Sequence, residues 1–208
     1  MNMFSLLKLT GLTAMVAGVA CGCASVGKDF KYQGAGSLEL KQTRSSDYQA
    51  LFGKPNSVEM KETSEGKFEL VRYLYAYADM GSARSRVLDM EFRDGTLNSY
   101  HYLSSFDKDK TTVNADQLKQ IQRGVSKKED VLQLLGKPHG KALCPSYDAD
   151  FKDKCGKGAE IWLWTVMGKA STFGVAYGGD QIEVHNIFVI FDKDGVVTEV
   201  ESSQTKNT

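Results

Sequence analysis

The chain has 208 residues, of which 26 are basic and 26 are acidic. A formally neutral chain has no strong field to steer it onto nucleic acid, so its charge excludes a function that depends on such a field. The length suits two small domains, and because each alone buries only a modest core, we expect the two halves to pack together.

The first residues have the pattern of a targeting segment. Lys8 gives a weakly basic start, and the apolar run over residues 9–20 is too short to span a bilayer. The small residues and cysteines that follow resemble a lipobox, in which a cysteine is acylated at the new N-terminus. We expect a signal peptide over residues 1–22 and lipidation of Cys23, with Cys21 as the alternative. An ordinary signal peptide cut at a small-residue site is the other explanation.

The resemblance to a lipobox also implies a location. Asp is absent just after Cys23, which resembles the pattern of lipoproteins that are not retained in the inner membrane. Three acyl chains exceed the two signals needed for stable anchoring. We therefore expect an outer-membrane lipoprotein that carries palmitate or a similar chain and faces the periplasm. Residues 23–36 are polar and glycine-bearing, and are predicted to form a tether.

One short segment occurs twice. Leu-Phe-Gly-Lys-Pro at 51–55 returns as Leu-Leu-Gly-Lys-Pro at 134–138, each after a short helical pattern and before an aromatic-x-aromatic strand and an Asp-Gly hairpin. Such an internal repeat predicts two tandem copies of one α+β unit. The predicted boundaries are unit A over 37–106, a linker over 107–113, unit B over 114–203 and a disordered tail over 204–208.

The helices of unit B have recognisable ends. Asn114 is predicted to cap a first helix that stops by Gly124. Ser126 and Glu129 have the spacing of a capping box that opens a second helix, which Gly136 ends. Unit A carries a shorter version of the second helix, and its first helix is short or missing.

The strands follow the helices in each unit. Alternating apolar residues predict strands over 68–77, 88–92 and 96–103 in unit A, and over 161–164, 187–191 and 196–200 in unit B. Asp-Gly pairs at 94–95 and 194–195 are predicted to form the hairpin turns. Each unit is thus expected to be one or two short helices packed on an antiparallel sheet of three to four strands.

Two cysteines remain in the mature chain, Cys144 and Cys155. In an oxidising periplasm, two cysteines near each other in a polar loop predict a disulfide, which would contribute about 3 kcal/mol of stability. A zinc site needs about four ligands, and no histidine lies within that loop. We expect a disulfide, no metal and no cofactor.

Together, these motifs resemble a known family. The order of a lipobox, the run over 124–138, Trp162-Leu163-Trp164 and the hairpin over 187–200 resembles the SmpA/OmlA (BamE-like) outer-membrane lipoproteins. Two such units in one chain also resemble beta-lactamase inhibitory protein, whose units place their sheets side by side as a concave binding surface. The BamE-like resemblance implies an accessory role in outer-membrane assembly or envelope integrity, through contact and not catalysis.

Catalytic motifs are not apparent in the sequence. His139 follows a helix end, and His101 and His185 lie in strand patterns, so all three are predicted to have structural roles. No nucleophile elbow, metalloprotease motif or phosphate-binding loop is present. We expect the chain not to be an enzyme.

An aromatic surface is the candidate binding site. If Leu74 and Leu163 point to the helices, then Tyr73, Tyr75, Tyr77, Trp162 and Trp164 point to the opposite face of the sheet. Tyr and Trp are enriched at protein interfaces, although these aromatics could instead fill the core. Arg72 shares the face of Leu74, which weighs against that face being the core.

The sequence therefore predicts a non-catalytic lipoprotein scaffold that binds an envelope protein and neither nucleic acid nor metal. An inhibitor of a periplasmic or foreign enzyme, of the beta-lactamase or cell-wall hydrolase type, is the alternative. A third hypothesis is a small-ligand or lipid binder that uses the glycine-rich stretch over 168–179, an insertion without a counterpart of that length in unit A.

Overall fold

The computed structural model describes residues 24–30, 37–79, 82–109, 111–148, 150–170 and 181–206. The α-helices in these ranges are α1 (Tyr48–Phe52), α2 (Ala115–Lys119) and α3 (Lys128–Leu135). The strands are β1 (Ala24–Val26), β2 (Ser57–Thr63), β3 (Gly66–Asp79), β4 (Ser82–Arg93), β5 (Thr96–Ser104), β6 (Gly140–Leu143), β7 (Glu160–Ala170), β8 (Gln181–Phe191) and β9 (Val197–Lys206). A mostly antiparallel sheet with a few short helices confirms the α+β class.

The strands form one continuous antiparallel sheet. Its order is β1-β3-β4-β5-β6-β7-β8-β9, and β2 pairs with β3 beside β1. The short strand β6 joins the two halves, because Ala142 pairs with Ser99 of β5 and Gly140 pairs with Leu163 of β7. The halves therefore share backbone hydrogen bonds as well as side-chain contacts.

Glycines end the two helices that precede β2 and β6. Gly53 and Gly136 have φ values of 80° and 72°, and their N–H groups donate to the carbonyl oxygens of Gln49 and Leu132. A positive φ is strained for residues with a Cβ, so the Gly-Lys-Pro pattern stops each helix as predicted.

The helix starts are partly as predicted. Asn114 caps α2, and it exchanges capping-box hydrogen bonds with Gln117. The predicted box of Ser126 and Glu129 is wrong, because α3 begins one residue later. The N–H of Lys127 donates to Asp130 at 2.8 Å, and the Ser126 hydroxyl instead accepts the N–H of Gln122.

Both predicted hairpin turns are present. Gly95 and Gly195 have φ values of 81° and 78°, which the Asp-Gly pattern favours. A register shift of the ladder lies just before each turn, between Glu91 and Phe92 and between Ile190 and Phe191.

The helices cover one face of the sheet. Around α1 the buried cluster consists of Phe30, Leu38, Tyr48, Phe52, Val71, Tyr73, Leu88, Met90, Phe92, Leu97, Tyr100 and Tyr102. Around α2 and α3 it consists of Ile121, Val131, Leu135, Trp162, Trp164, Ile187, Val189, Phe191 and Val197. Leu88, Met90 and Phe92 are on the inner face, as predicted.

The predicted tether is wrong for residues 24–30, which belong to the fold. Val26 of β1 pairs with Ala76 of β3, and Phe30 is buried beside Tyr73. Asp29 forms an ion pair with the fully buried Arg86. The apolar ring of Phe30 and this ion pair hold the segment on the sheet. The rest of the predicted tether, residues 23 and 31–36, lies outside the described residues.

The predicted disordered tail is wrong for residues 204–206. Strand β9 continues to Lys206, and Gln204 pairs with His185 of β8. The polar composition of this end fits an exposed edge strand, which needs backbone pairing more than apolar side chains. Residues 207–208 lie outside the described ranges.

Candidate functional site

The aromatic residues predicted to bind a partner lie on the helix side of the sheet. Tyr73 is 3% exposed and packs against the rings of Tyr48 and Phe52 in α1. Trp162 and Trp164 are buried in the cluster around α3. The prediction that these three side chains form an exposed surface is therefore wrong.

The other two tyrosines, Tyr75 and Tyr77, are half-buried on the same strand, and Tyr75 stacks on Phe106. The error lies in the choice of face. Leu163 packs in a separate cluster on the side opposite the helices, and Leu74 borders a cleft there. Because both faces of β7 are apolar, alternation alone does not say which one the helices cover.

Residues 144–148 and 150–158, which we call the cysteine loop, fold over the sheet face opposite the helices, which we call the open face. Cys144 and Cys155 are joined by a disulfide, as predicted. Phe151 of this loop is fully buried. It packs on apolar residues of β6, β7 and β8, namely Ala142, Ile161, Leu163, Phe188 and Ile190. The loop thus forms a second core on the open face.

A buried carboxylate of unit A holds the tip of this loop. Glu91 of β4 accepts the N–H groups of Tyr147 and Asp148 at 2.7 and 2.8 Å. The Asn98 amide at 2.7 Å and the Ser146 hydroxyl at 3.2 Å also donate to it. Such charge-assisted bonds are stronger than neutral ones, so Glu91 ties the insertion of one half to the sheet of the other.

The open face stays accessible in a cleft beside the cysteine loop. This cleft, which we call the open cleft, has a volume of about 350 Å³, and it is lined by Arg72, Leu74, Val87, Asp89, His101, Leu103, Asp150, Val184 and Asn186. Arg72 donates two hydrogen bonds to the Asp89 carboxylate, at 2.6 and 2.8 Å. The Arg72 side chain is 59% exposed, so this ion pair is weakly stabilising and free to meet a partner.

A chain of hydrogen bonds crosses the floor of the open cleft. Nδ1 of the buried His101 is 2.8 Å from the Asp150 carboxylate, and Nε2 is 3.3 Å from the Thr165 hydroxyl. That hydroxyl donates in turn to Asn186 at 2.9 Å. The chain links β5, β7 and β8 to the cysteine loop.

The order of acid, histidine and hydroxyl in this chain resembles that of a hydrolytic triad, but the geometry gives it a structural role. Thr165 is buried, and its hydroxyl donates to Asn186 at 2.9 Å, a shorter distance than the 3.3 Å between this hydroxyl and Nε2 of His101. A triad nucleophile must be reachable by substrate and must donate to the histidine. The chain instead fixes the position of Asp150 at the rim of the cleft.

Two carboxylates of the cysteine loop titrate differently. The hydrogen bond to His101 lowers the pKa of Asp150. Burial, with help from neighbouring Asp150, raises the pKa of Asp148 to about 6. The rim of the cleft beside Arg72 therefore carries a firmly ionised Asp150, while Asp148 ionises only near neutral pH.

Of the three histidines, His101 and His185 lie in strands as predicted, and His139 is more than a helix-end residue. His139 is buried, its Nδ1 accepts the N–H of Thr165 at 2.9 Å, and its Nε2 is 3.0 Å from the Thr111 hydroxyl. Burial lowers its pKa to about 4. His185 is half-buried on β8.

Several predicted features fall outside the described residues, namely Cys21, Cys23 and the glycine-rich stretch from residue 171 onward. In the part of the chain that the structure describes, no three His, Cys, Asp or Glu side chains are grouped so as to hold a metal ion. None of the described helices is long and apolar enough to cross a membrane.

The residues that build the open cleft were missed in the sequence, apart from Arg72. The strand sequences do contain a pattern that could have located the cleft. Arg72, Asp89 and His101 are polar residues at alternate positions within apolar strands, which marks the face opposite Tyr73 as partly solvent-facing. The contacts of Glu91 and Asp150 join residues far apart in the chain and leave no local pattern.

Comparisons with known proteins give little more. No protein-family model matches the chain, and no curated protein matches it either. Among solved structures it is similar to the crystal structure of a "putative beta-lactamase inhibitor protein" from Streptococcus mutans, with a TM-score of 0.48 and 11% sequence identity over 81% of this chain and 91% of that chain. A likeness at this level leaves the function to be argued from the geometry of the chain itself.

Proposed function

We propose that this chain acts without catalysis, by binding another envelope protein through the open cleft. The observation that carries the proposal is the uneven covering of the sheet. Helices cover one face on both halves, whereas on the open face the cysteine loop packs over β6–β8 and leaves the cleft beside it accessible.

The composition of the open cleft suits a protein partner. Half-buried Leu74, Val87 and Leu103 give it an apolar floor, and Arg72 and Asp150 give it a charged rim. An apolar centre within a polar rim is the usual anatomy of a protein interface, and arginine is enriched among the residues that dominate binding energy.

The surface is also rigid before binding. The disulfide, the hydrogen bonds to Glu91 and the chain through His101 hold the cysteine loop at three points. A preformed surface loses little conformational entropy when a partner binds. This supports a contact that needs no ordering step.

The place of action in this proposal is the periplasmic side of the outer membrane, with Cys23 (alternatively Cys21) as the lipidated residue. The lipobox-like sequence supports it, as does the resemblance of the helix, strand and hairpin motifs to the BamE-like lipoproteins. A scaffold in envelope assembly or integrity is the role that fits an anchored, non-catalytic binder.

We also propose that the two halves are tandem units of one ancestral fold. In each half a short helix ends at a glycine of positive φ, and four strands follow, β2–β5 in one and β6–β9 in the other. The ladder shifts register at Phe92 and at the corresponding Phe191. These parallels support duplication.

The test is capture of a partner from envelope extract of the host bacterium with the tagged chain, comparing Arg72→Glu with Arg123→Glu. The two arginines match in exposure, at 59% and 60%, but Arg123 lies outside the cleft. We expect Arg72→Glu to reduce recovery of a specific partner by about tenfold or more, and Arg123→Glu to leave it unchanged.

Equal recovery with both variants would contradict the cleft as the binding surface, and no specific partner with the unmodified chain would contradict the proposal itself. If the captured partner is an enzyme, its rate with and without the chain separates the scaffold from an inhibitor. Trp162 and Trp164 are unsuitable for this test, because truncating buried tryptophan costs about 3–5 kcal/mol.

A further inference from the structure

Strand β2 is an edge strand with an unusual surface. Within the described residues it pairs with β3 and with no other strand, and its residues from Ser57 to Glu62 are all exposed. Val58 is 45% exposed, and Met60, at 66%, is among the most exposed large apolar residues that the structure describes. Exposed apolar edge strands are open to pairing with another strand.

The two apolar residues lie on one face of the strand. Val58 pairs with Val71, which is buried under α1, so Val58 and Met60 point to the helix side of the sheet. Glu59 and Lys61 alternate with them and point to the open face. The strand thus carries an apolar pair on one face and an opposite-charge pair on the other.

The opposite edge of the sheet is different. On β9, Glu199 and Glu201 pair with lysines of the cysteine loop, and its side chains at Thr198, Ser202 and Ser203 are polar and exposed. That edge offers no apolar residue comparable to Met60. The edge strand β1 has only 3 residues, whereas β2 has 7, so β2 is the edge suited to association.

We propose that two copies of this chain associate by antiparallel pairing of their β2 strands, with Met60 of one copy opposite Met60 of the other. In this register Glu59 lies opposite Lys61 of the second copy, and the two-fold symmetry makes the same pair again. Opposite charges directly across an antiparallel ladder are stabilising, and like charges are destabilising.

The charges select this register over its neighbours. A shift in one direction places Glu59 opposite Glu59 of the second copy, and a shift in the other places Lys61 opposite Lys61. Only the register centred on Met60 joins both charge pairs and also brings the two Met60 side chains together, with Val58 of each copy beside them. The sequence of β2 is self-complementary in this sense.

The resulting dimer extends the sheet across both copies. Because the two-fold axis of such a pair is perpendicular to the sheet, both open faces point to the same side, and so do both sets of helices. This inference is independent of what the open cleft binds, since Val58 and Met60 lie on the other face of the sheet.

The test uses single cysteine substitutions in the full chain expressed in the bacterial envelope. Residues on the axis of an antiparallel pair have Cα atoms about 4.5–5.5 Å apart, within the range of a disulfide. We expect Met60→Cys to give a cross-linked dimer on mild oxidation, seen on a non-reducing gel. Val58→Cys, which lies opposite Glu62, and the exposed Val125→Cys serve as controls and are expected to cross-link much less.

A charge reversal then tests the register. In the Met60→Cys background, Glu59→Lys or Lys61→Glu alone replaces two attractive pairs with two repulsive ones, and we expect about tenfold less cross-linking. The double variant Glu59→Lys with Lys61→Glu restores both pairs and should restore the yield. A yield no higher than that of Val125→Cys, a double variant as poor as the singles, or cross-linking to a different envelope protein overturns the proposal.

Discussion

Individual buried polar side chains hold this sheet protein together at points where segments meet. Arg86 links the N-terminal segment at Asp29 to Asp109 between the halves, and its guanidinium packs over the Phe106 ring. Glu91 holds the cysteine loop. Arg86 donates to two carboxylates and Glu91 accepts four hydrogen bonds, and such partners offset the desolvation cost of a buried charge.

The buried His139 makes the stability of the fold depend on pH. Its folded pKa of about 4 is below the unfolded value of about 6.5. Between these values the unfolded chain binds more protons, so the contribution of His139 to stability is complete above about pH 6.5 and is lost as the pH falls to about 4. The loss is about 3 kcal/mol.

Asp148 has the opposite effect. Its raised pKa of about 6 means that its contribution to stability is present below about pH 4 and is lost as the pH rises through 6.

The measurement is urea unfolding of the wild type, His139→Asn and Asp148→Asn between pH 4 and 7. We expect the free energy of unfolding of the wild type relative to His139→Asn to decrease as the pH falls, and relative to Asp148→Asn to increase. A difference from His139→Asn that does not change with pH would show that the buried imidazole is not the responsible group.

At the scale of the elements, the packing of the N-terminal segment against β3 requires a glycine at position 27. A Cβ on Gly27 would lie 1.9 Å from the Leu74 carbonyl oxygen, and φ is 77°. Gly124 has a similar φ of 74° but no atom within 4 Å of such a Cβ. Substitution at Gly124 therefore tests backbone strain alone, and substitution at Gly27 tests the same strain together with a steric clash.

We predict that Gly124→Ala costs about 1 kcal/mol, the strain of a positive φ alone, and that Gly27→Ala costs about 2 kcal/mol more, because the strand must move away from β3. Thermal or urea unfolding measures both values. Trypsin should also cut after Lys28 faster in Gly27→Ala than in Gly124→Ala. Equal losses and equal cutting rates would mean that the segment is not held by this close approach.

The sequence predicted the helix ends and hairpin turns better than it predicted which face of the sheet the helices cover. The helix stops at Gly53 and Gly136 and the Asp-Gly hairpins are confirmed, because each depends on a few neighbouring residues. The prediction of which sheet face is exposed was wrong. The cysteine loop covers the face of β7 that carries Leu163, and the helices cover the face that carries Trp164, so both faces of this strand are apolar. The short strand β6 and the pairing of β1 were missed, since four and three residues carry too little periodicity to register.

At the scale of the molecule, polar contacts between the halves make the two parts of the sheet interdependent. Besides the β5–β6 pairing, the Glu91 hydrogen bonds and the contact of Phe68 with Tyr147 join unit A to the cysteine loop. These contacts lie more than 50 residues apart in sequence, which is why the repeat pattern alone predicts two units and not their connection.

We predict that Glu91→Ala lowers the free energy of unfolding by about 3 kcal/mol, because the Tyr147 N–H loses its acceptor, and the Asp148 N–H and the Asn98 amide each lose one of theirs. In calorimetry the wild type should unfold in one transition, and the variant should show earlier opening of the cysteine loop. Glu62→Ala, at an exposed glutamate of β2, is the control and should change stability by less than about 0.5 kcal/mol. A similar small effect at Glu91 would mean that the disulfide and Phe151 alone hold the loop.

If Cys23 carries the proposed lipid, the pairing of β1 with β3 also sets how far the body stands from the membrane. A flexible stretch over 23–36 would have given a reach of about 20 Å, whereas Ala24, which directly follows Cys23, is already hydrogen-bonded into the sheet. A chain acylated at Cys23 would therefore be held close to the lipid headgroups. Such a protein meets partners by lateral diffusion in the plane of the membrane, and it can engage only those whose binding surfaces lie within its own height above the leaflet.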